Sequence, residues 1–170
     1  MFFLPSVIIF SATALTSLAL VTVVSILPFS IPHDVPDPVG FLVKPEGKTY
    51  FHATDVGAPI DSLGKYLSEA DVATLESNHD PIMLRQSSRP ESLKRRILGQ
   101  RGHLSNDEAA YLVKKYASPR LKKLFLAHLS GECNAAHIVE RTIESALKEA
   151  GRSDISYETL SQDKLTFFSC

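Results

Sequence analysis

The sequence predicts a layered α/β domain, and three observations lead there. Val39-Gly40-Phe41-Leu42-Val43 and Thr49-Tyr50-Phe51-His52-Ala53 are strand-like runs on either side of Pro45-Glu46-Gly47-Lys48, a turn composition, so a hairpin is expected. Two more strand-like runs, 71–76 and 123–127, alternate with helical patterns downstream. Polar groups then follow those runs directly: Glu76-Ser77-Asn78-His79-Asp80 closes the first and His128 the second. Ligand-binding groups commonly gather at the carboxyl ends of strands in such folds.

The chain has 170 residues, 44% hydrophobic and 22% charged, the balance of one globular domain with its own core. A net charge of −1 neither favours nor excludes a polyanionic partner, because local clusters matter more than the sum. Cys133 and Cys170 show no metal-binding or disulfide spacing, which fits a reducing, cytoplasmic compartment.

Met1 to Pro32 contains no charged residue, and Val7 to Leu27 is long enough for an apolar helix to span a bilayer. Eight Ser or Thr residues between Ser6 and Ser30, and no Lys or Arg before Lys44, weaken that reading. The run Val21–Ile26 reads equally well as a buried strand leading into His33. Residues 1–27 are therefore either a membrane or export segment or foreign sequence plus a strand, with the domain proper at 28–170.

Beyond Gly57, Asp61 to Glu69 reads as a short helix weakened by Gly64. Ser105-Asn106-Asp107-Glu108 is a capping box opening a helix with Ala109, Leu112, Val113 and Tyr116 at helical spacing. An anion is expected at that helix start, beside His103. Ala135 to Ala150 is a second amphipathic helix, with Ile138, Ile143, Ala146 and Leu147 on one face and Gly151 as its stop. Ser153–Leu160 and Lys164–Phe168 read as closing strands. Two basic clusters stand out, with six cations between Arg85 and Arg101 and five between Lys114 and Lys123. Either could bind phosphates, although such runs are more often solvated helix faces.

Extended strands in the hairpin would bring His33 and Asp55 to one rim of the sheet, an imidazole and a carboxylate suited to zinc or manganese. His33-Asp-Val-Pro-Asp-Pro-Val-Gly-Phe and Thr54-Asp55-Val56-Gly57 resemble metal-binding motifs of the metallo-β-lactamase superfamily. Glu76-Ser-Asn-His-Asp80, Gly102-His-Leu-Ser-Asn106 and Leu126-Ala-His-Leu-Ser130 are similar, in the same order, to motifs of its bacterial exonuclease-type branch. The resemblance covers roughly residues 28 to 150. It implies an αββα sandwich lacking its N-terminal half, since the family's His-x-His-x-Asp-His loop occurs nowhere among the six histidines of this chain.

Carried over, the resemblance makes His33 and His128 ligands of a two-metal site, Asp55 its bridging carboxylate, and His103 the catalytic proton donor or transition-state stabiliser. His79, Ser105, Asn106 and Ser130 fall at substrate-binding positions. The implied activity is metal-dependent hydrolysis of nucleic-acid phosphodiesters. The competing expectation is a non-catalytic remnant that binds nucleic acid or tethers to a membrane through 1–27. A third is a half-enzyme completed by an oligomer or a complementing N-terminal half.

Overall fold

Pro45 to Lys48 closes the hairpin as its composition predicts: Gly47 adopts a left-handed conformation (φ 71°) and the Lys48 amide donates to Pro45 O at 3.1 Å. The structure, a computed structural model, describes residues 24–166. Its strands are β1 (Ser25–Ser30), β2 (Val39–Lys44), β3 (Tyr50–Ala53), β4 (Val72–Glu76), β5 (Lys123–Ala127) and β6 (Ser156–Thr159). They form one sheet in sequence order, with β1, β2 and β3 antiparallel and β3 through β6 parallel. Each parallel step needs a crossover. These are α1 (Asp61–Leu67), then α2 (Pro81–Gln86), α3 (Glu91–Ile97) and α4 (Asn106–Tyr116) together, then α5 (Ala136–Glu149). The resulting αβ layer is one sheet with helices on it, as expected for half of a four-layered sandwich.

Alternation sorts the sheet into two faces. Phe29, Leu42, Phe51, Ala73, Leu75, Leu124 and Leu126 share a core cluster with residues of α1, α4 and α5. Ile26, Phe41, Val43 and Val72 alternate onto the other face and lie outside that cluster. β4 is buried at all five positions, Thr74 and Glu76 included, as a central parallel strand is.

Several expectations shift. The strand sought at Val21–Ile26 is β1, displaced to Ser25–Ser30, and it is exposed at every position but Phe29. It forms an edge, paired among the described residues only with β2. Ser25 to Leu27 therefore belong to the sheet, so no helix runs to Leu27 and the 27/28 boundary falls inside a strand. The rest of the Val7–Leu27 segment, through Val23, lies outside the described residues, and among those no helix is long and apolar enough to cross a membrane.

On α5 the inward position belongs to Val139 rather than Ile138. The first closing strand shrinks to β6. Lys164 to Thr166 form no strand; past β6 the chain runs on beside the end of β5, with Gln162 Nε2 donating to Leu129 O at 3.3 Å. Phe167 and Phe168 lie outside the described residues. The capping box on α4 is complete, and Gly151 ends α5 with φ 67°.

Candidate metal centre

β4 and β5 end side by side, with Glu76 paired to Ala127 in register. Glu76 is fully buried, so its carboxylate must be satisfied by the protein. Oε2 accepts from the amides of Val56 (2.8 Å) and Leu104 (3.1 Å), while Oε1 takes His103 Nδ1 (2.9 Å) and His128 Nδ1 (2.6 Å). Burial pushes this carboxyl's pKa up, but the bonds from His103 and His128, and their charges, more than offset that and hold it at about 2. Glu76 is thus an ionised acceptor of four donors.

That assignment fixes the histidines. An ionised carboxylate only accepts, so both rings carry a proton on Nδ1 and turn Nε2 away from Glu76. His33 follows the same pattern, donating Nδ1–H to Gly102 O at 3.0 Å. Its Nε2 lies 3.6 Å from Asp34 Oδ1 and 3.6 Å from Asp55 Oδ1. Such tethering of one ring nitrogen is how a histidine is oriented and made basic for a metal.

Asp55 stands at the centre. Its Oδ1 is also 3.6 Å from His128 Nδ1 and 3.9 Å from His103 Nδ1. Asp55 and His128 both hold left-handed backbones, φ 58° and 59°, which cost energy for residues with a Cβ. Neighbouring contacts impose them. Asn78 Nδ2 donates to His128 O at 2.8 Å, clamping that turn. Gly57 lets the Thr54–Gly57 turn press against the loop before His103, because a Cβ there would sit 2.4 Å from Gln100 O.

Asp55, Glu76, His103 and His128 each offer a donor atom within 4.8 Å of one another. Because four protein donors already use the oxygens of Glu76, its place is behind the centre, orienting His103 and His128. Asp55, His33, His103 and His128 remain as outward-facing donors, a mixed nitrogen and oxygen set that fits a divalent ion. They border a cleft of about 650 Å³, into which Arg89 and Ser130 also project.

The other expected residues divide. Ser130 lines the cleft, its Oγ accepting from Arg89 Nη2 at 3.3 Å. Ser105, Asn106 and His79 are buried behind it. Ser105 Oγ and amide bond the Glu108 carboxylate at 2.8 Å, so a protein carboxylate occupies the helix start where an external anion was expected. Asn106 accepts from Ser77 Oγ (2.7 Å) and donates to Asn134 Oδ1 (2.9 Å), a buried network tying the ends of β4, α4 and the loop before α5 together. His79 has no hydrogen-bond partner on either ring nitrogen among the described residues, and burial lowers its pKa to about 4, keeping it neutral.

Sequence reasoning placed Glu76 and Asn78 in a motif at a strand end without a role for either, counted Arg89 only within a basic cluster, and missed Asn134. Glu76 had a readable signal, an acid closing a strand-like run, which is costly if buried unless donors converge on it.

Known proteins bear on this arrangement. The β-lactamase superfamily domain profile matches residues 8–128, beginning inside the uncharged N-terminal stretch. An exodeoxyribonuclease YycJ of Bacillus anthracis is 32% identical over 123 residues, covering 72% of this chain and 47% of its own. An exodeoxyribonuclease WalJ of Streptococcus pneumoniae is 34% identical over 122 residues, covering 72% of this chain and 45% of its own. The chain spans about half the length of the curated relatives it matches. Among solved structures, the metallo-β-lactamase fold protein YhfI of Bacillus subtilis superposes with a TM-score of 0.57 at 16% identity, covering 82% of this chain and 47% of that one. The zinc-bound PqqB of Methylobacterium extorquens gives 0.53 at 14% identity, over 81% and 44%.

Proposed function

The chain belongs to the β-lactamase superfamily, and from that premise we propose that it carries part of the active site of a metal-dependent phosphodiesterase acting on nucleic acid. The observation that carries this reading is Asp55 Oδ1 set within 3.6–3.9 Å of three imidazoles whose Nδ1 atoms are all engaged. The names of the curated relatives, exodeoxyribonucleases, support the choice of substrate.

Asp55, His33 and His128 would hold zinc or manganese. A bound divalent ion supplies water activation and neutralises phosphate charge. The chain's own groups do the rest. Glu76 holds the rings of His103 and His128 in one orientation through Nδ1, so each imidazole is placed at the cleft without a rotamer search. His103 would exchange a proton with a phosphodiester oxygen. Ser130 and Arg89, which also line the cleft, would hold non-reacting phosphate oxygens.

The test separates ligand from proton donor. Calorimetry with zinc and with manganese should show binding that Asp55→Ala abolishes and His103→Ala largely keeps. DNA cleavage, measured on the metal-loaded chain supplied in trans with the part of a curated relative that it does not match, should be lost in both variants. Equal metal binding by Asp55→Ala and the parent chain would overturn the assignment.

A further inference from the structure

The two basic clusters, alike in sequence, have opposite surroundings in the fold. Between 114 and 123 every cation is matched by an acid: Lys114 with Glu149, Lys115 with Asp61, Arg120 with Asp71, Lys122 with Asp154 and Lys123 with Glu158. Several sit at the amino end of β5, the far end of the strand from His128. The cluster between 85 and 101 is built on α2, α3 and the loop to His103, elements that border the cleft through Arg89, Leu93, Arg96, Ile97 and Gly102. Arg85, Arg95 and Arg101 are exposed and make no ion pair among the described residues.

Two more of its cations reach the cleft itself. Arg89 and Arg96 line it on either side of Leu93. Each is held by a carboxylate: Arg89 Nε by Glu132 at 2.9 Å and Arg96 Nε by Asp34 at 2.5 Å. Glu132 is 72% exposed, so its hold on Arg89 is screened and easily exchanged. Arg89 engages one N–H with Glu132 and one with Ser130, leaving three of the five in its fork for another acceptor.

We infer that the α2–α3 face, Arg85, Arg89, Arg95, Arg96 and Arg101, is the surface that carries the polynucleotide backbone to the metal centre, and that the 114–123 cluster takes no part. The inference rests on the nuclease reading and deepens it by naming which surface the substrate occupies. Guanidinium groups suit this role because each can grip a phosphate through two parallel hydrogen bonds. The exposed carboxylates of Glu132 and Asp34 occupy those donors as a phosphate would.

Equilibrium binding of the full chain to a fluorescent oligonucleotide, single-stranded and duplex, across a salt series tests it. Three variants are compared: Arg85, Arg95 and Arg101 all to Gln; Arg89 and Arg96 both to Gln; and Lys114, Lys122 and Lys123 all to Gln. The first removes only unpaired surface charge, so it should keep the parent's melting temperature. Each cation lost from the α2–α3 face should flatten the salt slope by about 0.7–0.9, and the first two variants should bind at least roughly tenfold more weakly at low salt. The third should bind within about twofold of the parent, since its charges are already compensated. Undiminished binding by the first two variants would overturn the surface assignment while leaving the nuclease reading intact. Binding to phosphatidylserine vesicles with none to either oligonucleotide would overturn both.

Discussion

Glu76 ionises in a site with no solvent, and that sets how the protein responds to acid. Its folded pKa, about 2, lies below its ordinary 4.5, so it contributes stability above about pH 4.5 that is lost as the pH falls toward 2. His79 acts in the same direction at higher pH. Buried without a hydrogen-bond partner, it resists protonation, its pKa lowered from 6.5 to about 4. The unfolded chain binds that proton more readily, so stability should already decline from about pH 6.5 downward. Urea titrations at successive pH values should therefore show two stages of loss. His79→Leu should flatten the upper stage without lowering stability at pH 8, because an orphaned polar ring costs more than an apolar side chain of similar size. Glu76→Gln should flatten the lower stage and cost about 3 kcal/mol at neutral pH, since four donors lose their charged acceptor. A single acid transition unchanged in both variants would contradict these assignments.

At the scale of elements, α1 and α4 meet at a position where sequence and structure give opposite advice. Gly64 lowers helix propensity by about 1 kcal/mol relative to alanine, and from the sequence it looks like a weak point. In the fold it is buried, and a Cβ there would lie 2.2 Å from the Tyr116 ring. That ring is held by a Tyr116–Asp61 hydrogen bond of 2.5 Å and by Lys115, whose Nζ is 5.0 Å from its centre. Overpacking costs about 1–3 kcal/mol, so Gly64→Ala should destabilise despite its better propensity. A higher melting temperature for the variant would show that Tyr116 yields freely. The contrast marks what was legible. The β2–β3 hairpin, β4, β5 and the capped α4 followed from local chemistry: turn residues, apolar runs, a capping box. His33, Asp55 and His128 were legible as motifs, because each stands next to a strand end. Glu76's role was not, since its donors come from residues 56, 103, 104 and 128 and meet only in the folded sheet. The exposure of β1 was hidden for the same reason: an apolar run does not reveal whether another layer covers it.

The whole molecule presents one sheet with helices on one face, and the other face has consequences for both solubility and chemistry. On that face Ile26 is 60% exposed, on an edge strand whose outer side has no partner among the described residues. Phe41 and Val43 extend the apolar surface inward from β1. Such a surface favours self-association, so the isolated chain should show concentration-dependent size in sedimentation. Metal chemistry points to the same incompleteness. Two ions held tightly need more protein ligands than Asp55, His33 and His128 supply among the described residues. Losing ligands removes water activation and charge stabilisation together, each a contribution of several kcal/mol, which makes the expected rate loss many orders of magnitude. The 170-residue chain alone should therefore hydrolyse DNA negligibly, while supplying in trans the part of a curated relative that it does not match should restore metal-dependent cleavage and suppress self-association together. Restored cleavage must disappear in Asp55→Ala. Robust, Asp55-dependent cleavage by the chain alone would show instead that the donors around Asp55 suffice, and that the open face is covered without a second ligand-bearing layer.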